Sequence, residues 1–157
     1  MKVQLHYEYN SARLTIEGLP DKSLGQSSNK IGILSSWQLQ LVNSPLLEGK
    51  LEHLQSIISI LFPYSRYYMS GVGRQIGDSE GRIKICTFKF GHKITLRSSQ
   101  EGVDPLELSI DDAQLADLIR CIDGLLLDER VLINWKVPEY LPLKYSEKIN
   151  KLPIRIR

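Results

Sequence analysis

The sequence predicts an α+β fold: a mainly antiparallel sheet of about six or seven strands with two helices packed on one face. Three observations lead there. Short segments alternate apolar and polar residues with the period of a half-buried strand, and two longer segments, around 47–61 and 115–126, carry Leu and Ile at helical spacing. Clusters of Gly, Pro, Ser and Asn punctuate both kinds. A strand-strand-strand-helix order occurs twice. Sliding one helix over the other superposes Leu51 on Leu115, Leu54 on Leu118, Ile58 on Ile122 and Leu61 on Leu125, the pattern of two pseudo-repeats.

The first strand is Val3, Leu5, Tyr7 and Tyr9 alternating with Gln4, His6 and Glu8. Asn10-Ser11 offers a tight turn, and Leu14 and Ile16 continue the alternation in a second strand. LPDKSLGQSSNKIG is a loop by composition. In the third strand, ILSSWQLQLV, one face holds Trp37, Leu39 and Leu41 and the other Ser36, Gln38 and Gln40. A helix is expected after Ser44, with Pro45 at its first position, where the missing N–H costs nothing. Its stripe is Leu47, Leu51, Leu54, Ile58 and Leu61, and Pro63 should kink or stop it near Phe62. GVGRQIGDSEG then reads as a flexible connection.

The second half repeats the scheme. Residues 82–90 and 93–97 form a hairpin whose turn is expected at Gly91-His92. Leu106, Leu108 and Ile110 supply a further strand. Ser109 or Asp111 caps a helix with its buried stripe at Leu115, Leu118, Ile119, Ile122, Leu125 and Leu126. VLINWKV is a last expected strand. Residues 1–137 thus form one α+β domain, and 138–157 a proline-containing basic tail with Lys144, Lys148, Lys151, Arg155 and Arg157 against Glu139 and Glu147.

The 157 residues are 42% hydrophobic and 24% charged with a formal charge of +2, the figures of one ordinary globular domain. A chain of this length buries roughly two thirds of its unfolded surface, so it needs no disulfide framework or structural metal. No apolar run approaches the ~18 to 20 residues of a membrane helix, and MKVQLHYEYN lacks a charged-then-apolar leader. A soluble, cytoplasmic protein with no membrane span is expected.

Few residues carry chemistry. Cys86 and Cys121, and His6, His53 and His92, are scattered without metal-ligand spacing, and GVGRQIG follows a helix where a phosphate cradle would end a strand. Asp111-Asp112 with Asp117 fits helix capping better than a cation site. No catalytic constellation, cofactor site or metal site is predicted.

Three surfaces stand out. With the turn at Gly91-His92, Phe90 lies opposite Lys93, Phe88 opposite Thr95, Cys86 opposite Arg97 and Lys84 opposite Ser99. Phe88, Phe90, Lys84, Lys93 and Arg97 then share one face, while Ile83, Ile85, Thr87, Ile94 and Leu96 share the other. Aromatics and cations together suit single-stranded nucleic acid, although such a face is more often covered by a helix, the tail or a second subunit. Tyr64, Arg66, Tyr67 and Tyr68 make either an adhesive patch for a protein partner or helix-end packing. LPIRIR in the tail has the alternation to add as a strand to a sheet edge.

The string SSWQLQLVNSPLLEGKLEHLQSIISILFPYSRYYMSG, followed by DPLELSIDDAQLADLIRCIDGLLLD, resembles a domain-of-unknown-function family found in cyanobacteria, over roughly residues 30–128. Glu48, Gly49, Leu54, Pro63, Tyr64, Gln114, Leu115, Asp117 and Leu118 carry the resemblance. It implies a phototroph's cytoplasm and a tie to photosynthetic physiology, and it implies no activity or catalytic residue. At the level of fold the chain is also similar to single-stranded-DNA-binding folds of the whirly and transcriptional-coactivator type. The expected function is that of a non-catalytic binding or adaptor protein acting through a protein partner or self-association. The alternative is a single-stranded nucleic-acid binder using the hairpin face.

Overall fold

The computed structural model of the chain describes residues 2–78, 81–98 and 100–137. The expectations for the tail, LPIRIR included, lie outside the described residues. Among these, eight strands form two four-stranded antiparallel sheets, where six or seven strands in one sheet were expected. The first sheet runs β1 (Val3–Tyr9), β2 (Ala12–Leu19), β3 (Ile33–Leu41) and β4 (Leu47–Gly49), followed by the helix α1 (Leu51–Met69). The second runs β5 (Ile76–Gly77), β6 (Ile83–Phe88), β7 (Gly91–Leu96) and β8 (Leu106–Ile110), followed by α2 (Asp112–Leu127). The repeat is therefore four strands and a helix, twice over. Leu54, Ile58 and Leu61 are buried, as are their counterparts Leu118, Ile122 and Leu125, whereas Leu51 is exposed.

The two helices serve different sheets. Although α1 follows the first sheet in the chain, it packs mainly on β6 of the second; α2 follows the second and packs on β1 and β2 of the first. Each half thus covers the other, and one apolar core results. Leu39 and Leu41 of β3, Ile57, Ile60 and Leu61 of α1, Ile83 and Ile94 of the second sheet, and Leu118 of α2 border a common point in it.

Two departures concern α1. It begins at Leu51 instead of after Ser44, because Leu47–Gly49 pairs with β3 as a strand and still delivers Leu47 to the core. The Trp37 indole N–H donates to the Lys50 carbonyl at 2.7 Å, and the His53 ring accepts the Lys50 N–H at 3.2 Å, which fixes the helix start. The helix also continues through Pro63 to Met69. A mid-helix proline costs about 3 kcal/mol, and the contacts of Tyr64 and Tyr68 described below hold the last two turns in place against it. GVGRQIGDSEG contributes the two residues of β5, and VLINWKV supplies no strand beyond a parallel bridge of Val131 to Ile31. No helix of the described chain is long and apolar enough to cross a membrane.

Candidate functional site

The β6–β7 hairpin turns at Lys89 and Phe90, not at Gly91-His92. Phe88 faces Gly91, Cys86 faces Lys93 and Lys84 faces Thr95, so the expected pairings of Phe90 with Lys93 and of Phe88 with Thr95 do not form. The left-handed conformation that a Gly-first turn assigns to Gly91 is taken by Lys89, at φ 54°. Gly91 is required for a different reason: a Cβ there would stand 2.3 Å from the carbonyl oxygen of Ile110. The correction slips the register by an even number of residues, so every side chain keeps its face. Lys84, Cys86 and Phe88 share one side with Lys93 and Thr95, while Ile83, Ile85 and Ile94 enter the core.

On the outer side, Phe90 projects fully into solvent from the turn, and Phe88 is 36% exposed. The ammonium groups of Lys93 and Lys89 stand 4.6 and 5.2 Å from the centre of the Phe88 ring, within cation–π range. Lys93 is also 3.9 Å from Glu107 on β8. Lys84 is half-buried further along β6. Arg97 lies past the end of β7, about 23 Å from Phe90 at the rise of a strand. There it borders a cleft shared with Trp37, His53 and Asp78. Lys84, Phe88, Phe90 and Lys93 therefore gather on the outer side of the hairpin, aromatic at its tip, while Arg97 borders the cleft on the α1 side and is not brought together with them.

The tyrosine cluster divides. Tyr64 and Tyr68, one helical turn apart, face inward and stack at 6.1 Å with their edges of contact on the His92 ring. Tyr67 points elsewhere and carries the Arg74 guanidinium 4.3 Å above its ring, while Arg66 and Met69 are exposed. Tyr64 is fully buried, so it belongs to packing and not to an adhesive surface. Its hydroxyl bonds His92 Nδ1, His92 Nε2 stands 2.7 Å from Asp112 Oδ1, and the Tyr68 hydroxyl donates to the same oxygen at 2.9 Å. An ionised carboxylate only accepts, so Nε2 carries the proton and Nδ1 accepts from Tyr64. Three elements are joined: the end of α1, the start of β7 and the first turn of α2.

Burial pushes the Tyr64 phenol far above its ordinary value, and the hydrogen bonds from His92 and Tyr68 hold the Asp112 carboxyl below the usual range. The arrangement has the order of an acid–base relay. Its phenol, however, is sealed in the core in a neutral form, which suits an anchor for the turn end of the hairpin. Sequence reasoning missed both His92, assigned to a turn, and Asp112, assigned to capping. Asp111 does the capping, accepting from Gln114 N–H at 2.8 Å. Asp117, a carboxylate on the buried side of α2, receives the Ser11 N–H and hydroxyl at 3.1 and 2.6 Å. An acidic residue inside the Leu115–Leu118 stripe was the sequence signal for that bond.

Both cysteines are free thiols, Cys86 half-buried and Cys121 buried, with the Cys121 thiol pushed up to about 11 chiefly by burial. Among the described residues no group of three or more His, Cys, Asp or Glu is placed to hold a metal ion.

A family model described as a domain of unknown function, DUF4335, matches residues 5–154. The match extends beyond 30–128 in both directions and takes in the N-terminal hairpin. No curated protein and no solved structure matches the chain. The chain belongs to the DUF4335 family.

Proposed function

We propose that this member of the DUF4335 family is a non-catalytic binding protein that works through the β6–β7 hairpin, and that its ligand is a single-stranded nucleic acid. The supporting observation is the Phe88 ring held under two ammonium groups beside a fully exposed Phe90. Bases stack on such rings for ~1 to 3 kcal/mol each, while Lys84, Lys89 and Lys93 lie beside them for the phosphates. Glu107 on β8 places a carboxylate 3.9 Å from Lys93 on this face. A total charge of +2 is small for a nucleic-acid binder, so the local stripe must supply the attraction. The resemblance to a cyanobacterial family adds a phototroph's cytoplasm as the setting, with a link to photosynthetic physiology.

Fluorescence anisotropy of a labelled oligothymidylate tests the proposal. Binding at 50 mM salt should weaken towards 200 mM, with a log–log slope of about −2 for three phosphate contacts. Phe88→Ala combined with Lys93→Ala should reduce affinity by at least about tenfold. No signal at low salt removes the nucleic-acid ligand.

An adaptor role towards a protein partner is the second reading, supported by the exposure of Phe90, Arg66 and Met69, residue types enriched at protein interfaces. In that case a native-lysate partner should be captured independently of nuclease treatment and lost with Phe90→Ala. A wild-type pull-down that returns nothing ends it.

A further inference from the structure

We infer that β1 is a self-association edge: two copies of this chain pair antiparallel through β1 about a twofold axis at His6, joining their first sheets into one of eight strands. The surface lies on the first sheet and is independent of the hairpin face discussed above. β1 is the outermost strand of its sheet, and its seven residues exceed those of the other edge strands, β4, β5 and β8. It contains no proline, and no bulge interrupts its ladder with β2, two of the devices that blunt an edge; Glu8 is the charged side chain within it.

Its free groups can be identified. The Ser11 carbonyl accepts the Val42 N–H at 2.9 Å, which turns the main-chain groups of Ser11, Arg13 and Thr15 towards β3 and those of Ala12, Leu14 and Ile16 towards β1. Tyr9, Tyr7 and Leu5, their partners, therefore point inward. The N–H and C=O groups of Gln4, His6 and Glu8 point away from the sheet, and no described strand pairs with β1 on that side.

The register centred on His6 uses all of these groups. It pairs Gln4 with Glu8 of the second copy, His6 with its own equivalent, and Glu8 with Gln4, each pair exchanging both N–H···O bonds. The side chains fit this arrangement. On the core side, Leu5 comes opposite Tyr7 and Val3 opposite Tyr9; half-buried Val3 and 42% exposed Tyr9 are the two incompletely covered members of that row. On the outer side, Lys2 lies diagonal to Glu8 of the second copy, an opposite-charge neighbour.

Helix α2 packs on β1 and β2 and would lie beside its equivalent across the twofold. Gly124 approaches the Tyr7 ring on this flank, and Arg120 and Leu127 follow it around the helix, Leu127 being 81% exposed.

Sedimentation equilibrium of the full chain at micromolar concentration should give twice 17.9 kDa. His6→Pro removes the outward N–H, together with the exposed ring contacts to Thr15 and Arg13, and should give a folded monomer; His6→Ala, which loses the same ring contacts and keeps the N–H, should remain a dimer. Gln4→Glu, which sets carboxylate against carboxylate, should raise the dimer dissociation constant at least about tenfold, and adding Glu8→Lys should restore it. A wild-type monomer whose Gln4, His6 and Glu8 amides resist hydrogen exchange would mean that another segment, such as the C-terminal tail, covers the edge, and would overturn the inference. So would a wild-type monomer with unprotected amides, or a dimer unaffected by both His6→Pro and Gln4→Glu.

Discussion

Tyr64→Phe is the most informative single change to the fold, because it deletes one oxygen atom and leaves the ring in place. Tyr64 and His92 are both buried, and the phenol is the partner of His92 Nδ1. Removing it forfeits a hydrogen bond with a net value near 1 kcal/mol and leaves a buried nitrogen unsatisfied at a cost of ~1 to 3 kcal/mol, so a loss of about 2 kcal/mol is expected. For a chain of this length each kcal/mol moves Tm by about 2–4 °C, giving a fall of about 4–8 °C. Urea unfolding followed by tryptophan fluorescence measures the free energy, and scanning calorimetry measures the midpoint. The second arm of a double-mutant cycle is His92→Phe, which removes both bonds at once. The double variant should be less destabilised than the sum of the two single changes by about 1 kcal/mol, because each deletion removes the group that the other leaves unpaired. A Tyr64→Phe chain within about 0.5 kcal/mol of the parent, or strict additivity in the cycle, would refute the anchoring role.

Gly91→Ala should cost at least about 2 kcal/mol by urea titration, since its Cβ would meet the main-chain oxygen of Ile110 at 2.3 Å and neither strand is free to shift; Gly25→Ala, with open space around its Cβ, isolates the separate cost of a left-handed φ. Acid should destabilise the fold below about pH 4. The carboxyls of Asp112, Asp117 and Asp128 are held below their ordinary values by bonds from His92, Ser11 and Arg130 respectively. Their stabilisation is present above the unfolded pKa and lost as pH falls through the folded ones. Asp117→Asn should flatten that acid limb in equilibrium unfolding, and an unchanged limb would count against its part in it.

Much of the secondary structure was legible because it depends on local periodicity. The alternations in β1, β2 and β3 and the leucine stripes of both helices are one-dimensional patterns that burial then follows. Asp111 was legible as a cap for the same reason. The turn of the second hairpin was not, since Gly91 looked like a turn glycine and is instead required by the close approach of Ile110 on the neighbouring strand β8. Nor was the course of α1 through Pro63, because the side chains that hold its far end lie on β7 and α2.

The same boundary runs through the candidate site. Which side chains share the outer hairpin face followed from parity alone, and an even register slip left that unchanged. Whether Phe88 and Phe90 are covered depended on where the helices went, and α1 packs on the opposite, aliphatic face of β6. The division into two sheets, with each helix crossing to the other half's sheet, rests on pairings between residues far apart in the chain. Periodicity records which side of a segment seeks cover; it holds no information about which distant segment will provide it.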